Sequence, residues 1–397
     1  MNGRPSPGVA TTGALVTPVG AAYCHVYVHV PFCARRCSYC DFSIAVRRIV
    51  PVEEFAEAIA RELAARFGAP TVMPDRAHRL ETLYLGGGTP SRLGAAGIPL
   101  LLDRIRRHAY FDAETEVTIE ANPEDVTPAA VAEWTNAGVN RVSLGVQSFD
   151  PGVLDWMHRT HDAAAVRTAA RALSAGGIAN WSLDLIYALP DEVERSWERD
   201  LEQAISLAPA HISAYGLTIE GGTPLGRWQS RGAVHEASEE RYERDFLLAH
   251  ERLHAAGYAH YEVSNWGRPG LESRHNSSYW RGVPYLGLGP AAHGFDGDTR
   301  RWNERDFVRW RASALDRRDP MGGDERLTPE QRSLEEAYVG LRTRAGLAIA
   351  PEDSILVDRW IREGWGTIEG TRLVLSPHGW LRLDALVAAL TEHRSRY

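Results

Sequence analysis

A chain of 397 residues, 44% of them hydrophobic and 24% charged, is long enough for a large α/β barrel plus an appendage, and its composition excludes wholesale disorder. The formal net charge of -8 leaves no global positive field, which argues against nucleic acid or anionic lipid as a default partner. Every basic side chain other than His is Arg, so no Schiff-base lysine is available.

The first 22 residues, rich in Gly, Pro and Ala, lack a basic lead-in and a continuous apolar run, and read as a disordered tail on a cytoplasmic protein. No stretch of about 18 apolar residues occurs, so integral membrane insertion is not expected. From residue 23, the β-rich runs YCHVYVHV, ETLYLGGG, EVTIEANP, NRVSLGVQSF, NWSLDLIYALP and HISAYGLTIE alternate with helical stretches. Val52 to Phe67, Ala129 to Ala137, Ala163 to Ala175 and Arg195 to Leu207 carry apolar residues at a spacing near 3.6. Six strands joined by crossover helices imply a parallel sheet. Glu120, Gln147 and Asp184, at or just past the carboxyl ends of their strands, favour a partial TIM-type (βα)6 barrel, since such barrels assemble their sites at that end.

A seventh run, YAHYEVSNW at 258 to 266, and a loop-rich stretch of short strands up to residue 303 would close the barrel mouth, making 23 to 303 one domain. Residues 304 to 397 would form a small α+β domain resembling a winged helix. Thr328 caps and Pro329 opens its first helix, read over 333 to 344; a helix near 353 to 362, the hairpin IEGTRLVLS and a helix over 381 to 393 follow. Without a basic stripe, the wing is read as a packing or partner-docking element.

Chemistry concentrates in YVHVPFCARRCSYCDF, where Cys33, Cys37 and Cys40 stand at C-x3-C-x2-C spacing on a loop after the first strand. Three soft ligands favour an iron–sulfur cluster or zinc. Zinc requires a fourth ligand such as His29, whereas an iron–sulfur cluster held by three cysteines leaves one iron open to a small molecule. Cys24 alternates with Val26, Val28 and Val30, opposite Tyr27 and His29, and so reads as a buried, apolar-like cysteine outside the ligand set.

CARRCSYC followed in order by LGGGTP, IEANP, GVQSF and DLIYALP resembles the radical S-adenosylmethionine (SAM) superfamily over roughly residues 23 to 300, specifically its oxygen-independent coproporphyrinogen III oxidase-like branch. The resemblance implies that Cys33, Cys37 and Cys40 ligate a 4Fe-4S cluster whose fourth iron is chelated by the amino and carboxylate groups of SAM. It implies that Tyr27 and Tyr39 flank the cluster and SAM, and that Gly86, Gly87, Gly88 and Thr89 let backbone approach the methionine moiety. Glu120, Gln147, Arg159 and Asp184 would contact the ribose, ammonium and carboxylate of SAM.

Two departures place the chain within that branch. The oxidases continue the motif with a further cysteine, where this chain has Phe42, and they carry a longer substrate-side N-terminal arm. Both differences resemble the haem-chaperone members. The run His275-Asn276-Ser277-Ser278-Tyr279-Trp280 fits their HN-x-x-Y-W motif, which implies His275 as an axial haem ligand with Tyr279 and Trp280 near the macrocycle. His293 and the lumen-facing His29 are competing ligands. The leading expectation is a haem chaperone with a 4Fe-4S cluster and exchangeable SAM that takes haem from a donor and passes it to an acceptor haemoprotein. The rival is a radical SAM oxidase that decarboxylates coproporphyrinogen propionates. A radical SAM enzyme acting on RNA is a third reading, for which the basic surface is missing.

Overall fold

The computed structural model describes residues 23 to 67 and 79 to 395, so the expected tail at 1 to 22 lies outside the described residues. Six parallel strands, β1 (His25–Val30), β2 (Thr82–Gly87), β3 (Glu116–Ala121), β4 (Arg141–Gln147), β5 (Asn180–Tyr187) and β6 (His211–Gly216), lie side by side in chain order. That unbroken order is a barrel winding; a doubly wound sheet reverses direction at a switch point. The crossovers carry α1 (Val52–Phe67), α2 (Gly94–Arg106), α3 (Pro128–Asn136), α4 (Pro151–Trp156), α5 (Ala163–Ala175) and α6 (Trp197–Ser206), and α7 (Pro224–Gln229) and α8 (Glu239–Ala255) follow β6. Thr127, Asp150, Asp162, Ser196, Thr223 and Ser238 each accept a backbone N–H at the start of their helices, satisfying donors the helix itself cannot.

Strand alternation divides the barrel into two layers. Val26, Val28 and Val30 are wholly buried under the helices with Leu83, Leu85, Val117 and Ile119, while Tyr27 and His29 face the inside, as the period of two requires. Phe55, Ile59 and Leu63 form the buried stripe of α1.

The seventh run is not a further parallel strand. It is a hairpin, β7 (Ala259–Glu262) and β8 (Asn265–Gly267), with β8 antiparallel to β6, because the short turn between them leaves no room for a crossover. At the opposite edge β9 (Leu286–Leu288) pairs parallel with β1, giving the order β9-β1-β2-β3-β4-β5-β6-β8-β7. The HNSSYW segment, expected as loop, is the short helix α9 (Arg274–Trp280), capped by Ser273.

The expected boundary at 303/304 falls inside a structural unit. A three-stranded antiparallel sheet of β10 (His293–Phe295), β11 (Thr299–Asn303) and β12 (Met321–Arg326) runs across it, and α10 (Phe307–Leu315) packs Phe307 and Trp310 against Phe32 and Phe55 of the barrel. A C-terminal domain follows, with α11 (Pro329–Leu341), β13 (Leu347–Ala348), α12 (Ser354–Arg362), β14 (Gly366–Glu369), β15 (Arg372–Leu375), α13 (Pro377–Trp380) and α14 (Leu383–Arg394). Its first helix opens on a capping box between Thr328 and Gln331, at the start that Thr328 and Pro329 mark in the sequence, and ends at Leu341, three residues short of the expected 344.

Candidate functional site

The cysteine loop is pinned at both ends. Phe32–Cys33 pairs with Ala45–Val46, with the Ala45 N–H donating to Pro31 O at 2.7 Å and the Arg47 N–H to Cys33 O at 3.0 Å. Its middle docks elsewhere: the Ser38 N–H donates to Met157 O at 3.2 Å, and the Leu225 N–H donates to Ser38 O at 2.8 Å. A segment that would otherwise be mobile is thereby held over the carboxyl ends of β1 to β6.

Cys33, Cys37 and Cys40 line a cavity of about 420 Å³ together with Tyr39, Gly87, Gly88, Thr89, Glu120, Gln147, Arg159 and Asp184. Residues far apart in sequence thus converge on one space. Cys33 Sγ lies 3.5 Å from Thr89 Oγ1, and Arg159 donates to Cys37 Sγ at 3.6 Å. Arg159 is held by Asn122 Oδ1 at 2.7 Å and Gly145 O at 2.6 Å. Burial works against its charge, but Tyr39 and Cys37 more than offset this and keep the guanidinium protonated. Burial pushes the Cys40 thiol up to about 11 and raises that of Cys33, against which the Thr89 hydroxyl and Arg159 work. Among the described residues no group of three His, Cys, Asp or Glu side chains is arranged as it stands to hold a metal ion.

Glu120 accepts from Tyr84 Oη at 2.9 Å and from the Gly87 N–H at 2.9 Å. Ser143 donates to Asp184 at 2.8 Å. Asp184 is not at a strand end as expected; it sits inside β5, opposite Gly145 and Ser213, and reaches the cavity from the wall. Gln147 ends β4 at a bulge with φ of 67°, a left-handed conformation uncommon for a residue with a side chain.

The glycines serve packing more directly than ligand approach. A Cβ on Gly86 would meet Tyr84 and Tyr27, and one on Gly88 would strike the Pro31 backbone at 2.7 Å. Gly87 has φ of +110°, and its Cβ would run into the His29 ring. Gly86 therefore backs onto the aromatic interior and does not line the cavity.

Burial, the Tyr84 and Gly87 hydrogen bonds and nearby Asp184 together hold the Glu120 carboxyl at about 7, burial being the largest influence. Its folded pKa therefore lies above the unfolded value, and between the two the native state holds a proton that the unfolded chain has lost. Stability is expected to fall as pH rises from about 4.5 to about 7, by no more than about 3 kcal/mol from this group. Urea unfolding of wild type and Glu120→Gln across pH 5 to 8 checks this: the difference between them should shrink toward low pH, and a pH-independent difference would remove Glu120 as the cause.

A second cavity, of about 590 Å³, adjoins the first and shares Asp41, Phe42, Gly87 and Glu120 with it. Tyr27, expected to flank the cluster, lines this second space; Tyr39 lines the first. Tyr279, Tyr285, His293, Trp302 and Arg305 complete much of its wall.

His275, by contrast, faces neither cavity. Its Nδ1 lies 2.6 Å from Thr82 Oγ1 and its Nε2 2.7 Å from Tyr279 Oη, while its backbone N–H donates to Glu116. Burial drives its pKa down to about 3, and its ring stacks on Tyr84 at 5.0 Å. Both ring nitrogens are engaged inside the barrel wall, so that the expected haem ligation by His275 would require one of these hydrogen bonds to be given up. Trp280 packs beneath the Arg342 guanidinium, away from either cavity.

Tyr84, Asn122, Arg141, Ser143, Ser182, His211 and Ser213 also line the first cavity and were not singled out in the sequence. Most could have been found by period two: Tyr84 precedes Gly86, Ser143 and Gly145 lead to Gln147, Ser182 precedes Asp184, and His211 alternates with Ser213.

Comparisons with known proteins agree with this geometry. Residues 27 to 204 match the description of the radical SAM superfamily. Over 374 residues the chain is 38% identical to heme chaperone HemW of Mycobacterium tuberculosis, covering 92% of this chain and 94% of that protein. It is 37% identical over 270 residues to heme chaperone HemW of Escherichia coli, covering 68% and 69%. The solved structure of coproporphyrinogen III oxidase (HemN) from Escherichia coli, a radical SAM enzyme, superposes with a TM-score of 0.78 at 20% identity, covering 95% of this chain and 92% of that one, and this likeness concerns the fold.

Proposed function

The chain belongs to the radical SAM superfamily, in its HemN-like branch close to the HemW proteins, and on that premise we propose that it is a haem chaperone. In this reading it carries a three-cysteine 4Fe-4S cluster with exchangeable SAM, takes haem from a donor and delivers it to an acceptor haemoprotein. The observation that carries the reading is the 38% identity to heme chaperone HemW of Mycobacterium tuberculosis over nearly the full length of both chains.

Cys33, Cys37 and Cys40 would hold the cluster, whose donor set they match in softness and number. Arg159, which lines the cavity, has its Nε buried without a hydrogen-bond partner, so the cavity retains polar capacity for a guest. Arg159 would meet a carboxylate; Glu120, Gln147 and Asp184 would take hydroxyl or ammonium hydrogens; Tyr39 would shield the cluster from solvent. A reduced cluster bound there would supply one-electron chemistry toward SAM. Thr89 would hold the Cys33 sulfur and Arg159 the Cys37 sulfur in place. We propose the cytoplasm as the working compartment, where thiols stay reduced, and the C-terminal domain as a partner-docking element.

The oxidase reading has the HemN fold likeness in its favour. Against it stand Phe42, more than half exposed, where the oxidase branch continues with a thiol, and the cargo-sized second cavity beside it. Anaerobically reconstituted protein with SAM and a reductant is expected to bind ferric or ferrous haem at about one per chain, to load an apo-haemoprotein, and to form no protoporphyrinogen from coproporphyrinogen. Formation of protoporphyrinogen at a rate abolished by Cys37→Ser would overturn the chaperone reading.

A further inference from the structure

We propose that haem is seated in the second cavity, with His293 as its axial ligand and Arg305 paired with a propionate; the placement rests on the haem-chaperone reading.

Three histidines compete for the iron, and the geometry separates them. His275 is spent on Thr82 and Tyr279, as described above. His29 lines the second cavity, but its Nδ1 lies 3.1 Å from Tyr27 Oη and its Nε2 2.9 Å from Ser43 O, and the ring is buried. Ligation through either nitrogen would break a buried hydrogen bond. His293 stands on β10 at the cavity wall, is exposed, and makes no side-chain hydrogen bond among the described residues. Its ring stacks on Trp302 across the β10–β11 pair, with centroids 5.9 Å apart and planes at 30°. An imidazole fixed by a neighbouring indole and open on its polar edge is oriented for metal at little entropic cost.

The aromatic part of the wall suits a flat ring, beside the polar Asp41, Ser43, Glu120 and Asn303. Tyr27, Tyr279, Tyr285 and Trp302 supply aromatic faces, and Phe42 exposes 58% of its surface between the two cavities. Of the neighbouring arginines, Arg300 pairs with Glu335 at 2.9 Å and Arg301 with Asp319 at 2.7 Å. Arg305 lines the cavity and has no carboxylate within ion-pair distance among the described residues. A guanidinium without an anion at the rim is suited to a propionate. The shared wall of Asp41, Phe42, Gly87 and Glu120 would place the cargo next to the cluster cavity, so that the state of one site is felt at the other.

Titration with ferric haem, followed by the Soret band and by resonance Raman spectroscopy, tests the placement. His293→Ala is expected to shift the Soret band and weaken binding roughly tenfold or more, with added imidazole restoring the wild-type spectrum. His29→Ala and His275→Ala should keep the wild-type ligation signature. Arg305→Gln should weaken binding of haem but not of haem dimethyl ester, whose propionates carry no charge. Iron–sulfur content and far-UV circular dichroism establish that each variant is folded, and imidazole rescue separates lost ligation from a collapsed cavity. An unaltered spectrum in His293→Ala, with loss in His275→Ala or His29→Ala, would overturn the ligand assignment while leaving the chaperone reading standing. Equal weakening of haem and its dimethyl ester by Arg305→Gln would remove the propionate contact. Failure of the wild-type protein to bind haem at all would instead sink the reading on which the placement rests.

Discussion

Single replacement of Cys33, Cys37 or Cys40 by Ser is expected to reduce the iron and sulfide bound after anaerobic reconstitution to background, whereas Cys24→Ser should retain the wild-type content of about four of each. The three thiols line one cavity on a loop clamped at both ends, and a serine hydroxyl is a poor ligand for iron that favours soft sulfur. Cys24 precedes β1 and the other three follow it, so roughly 20 Å of extended strand separates them. The Glu81 N–H bonds to the Cys24 carbonyl at that far end, and the thiol's pKa is raised by burial and by Glu81. Iron analysis and the visible absorption of the reconstituted variants decide the matter. Retention of iron by Cys40→Ser with its loss in Cys24→Ser would reverse the assignment.

A second large effect is expected at Glu62, a buried carboxylate on the barrel-facing stripe of α1. It accepts from the Gly289 N–H at 3.0 Å, Asn303 Nδ2 at 2.6 Å and Trp310 Nε1 at 2.9 Å. Burial raises its pKa against the opposing pull of these donors. Glu62→Ala would orphan three buried donors and leave a void. At about 1 to 3 kcal/mol per unsatisfied group, less what water recovers, a loss of about 3 to 5 kcal/mol in urea unfolding is expected. Glu62→Gln keeps one acceptor of similar shape and should cost less. Asn303 lines the second cavity and Gly289 stands two residues before its wall residue Ala291, so Glu62→Ala should weaken haem binding as well. A loss below about 1 kcal/mol would show that the carboxylate is not what ties these segments to the barrel.

The local code was legible where one physical rule dominates. Strand alternation placed Val26, Val28 and Val30 under the helices and Tyr27 and His29 inside, and helix periodicity marked α1 and α5 at their observed limits. The thiol spacing of Cys33, Cys37 and Cys40, and the ordered motifs behind it, were sufficient to reach the superfamily. Crossover logic gave a parallel barrel because short alternating segments have few other ways to bury both faces of a sheet.

What was not legible depended on contacts between segments distant in sequence. YAHYEVSNW read as one strand because apolar content does not register the tight reversal between β7 and β8. The division at 303/304 missed that β11 pairs with β12 beyond it and that α10 packs on α1, contacts without a local signature. His275 carried the motif expected of a ligand, yet Thr82, 193 positions away, and Tyr279 engage both its nitrogens; His293, inconspicuous in GLGPAAHGF, remains open. Sequence by itself determined which residue types were present and how each strand and helix distributes them between faces, since those follow from backbone periodicity. Which imidazole is free, which carboxylate is caged and which cavity adjoins the cysteines was decided by the tertiary structure alone, because a side chain's remaining hydrogen-bonding capacity depends on every neighbour the fold brings to it.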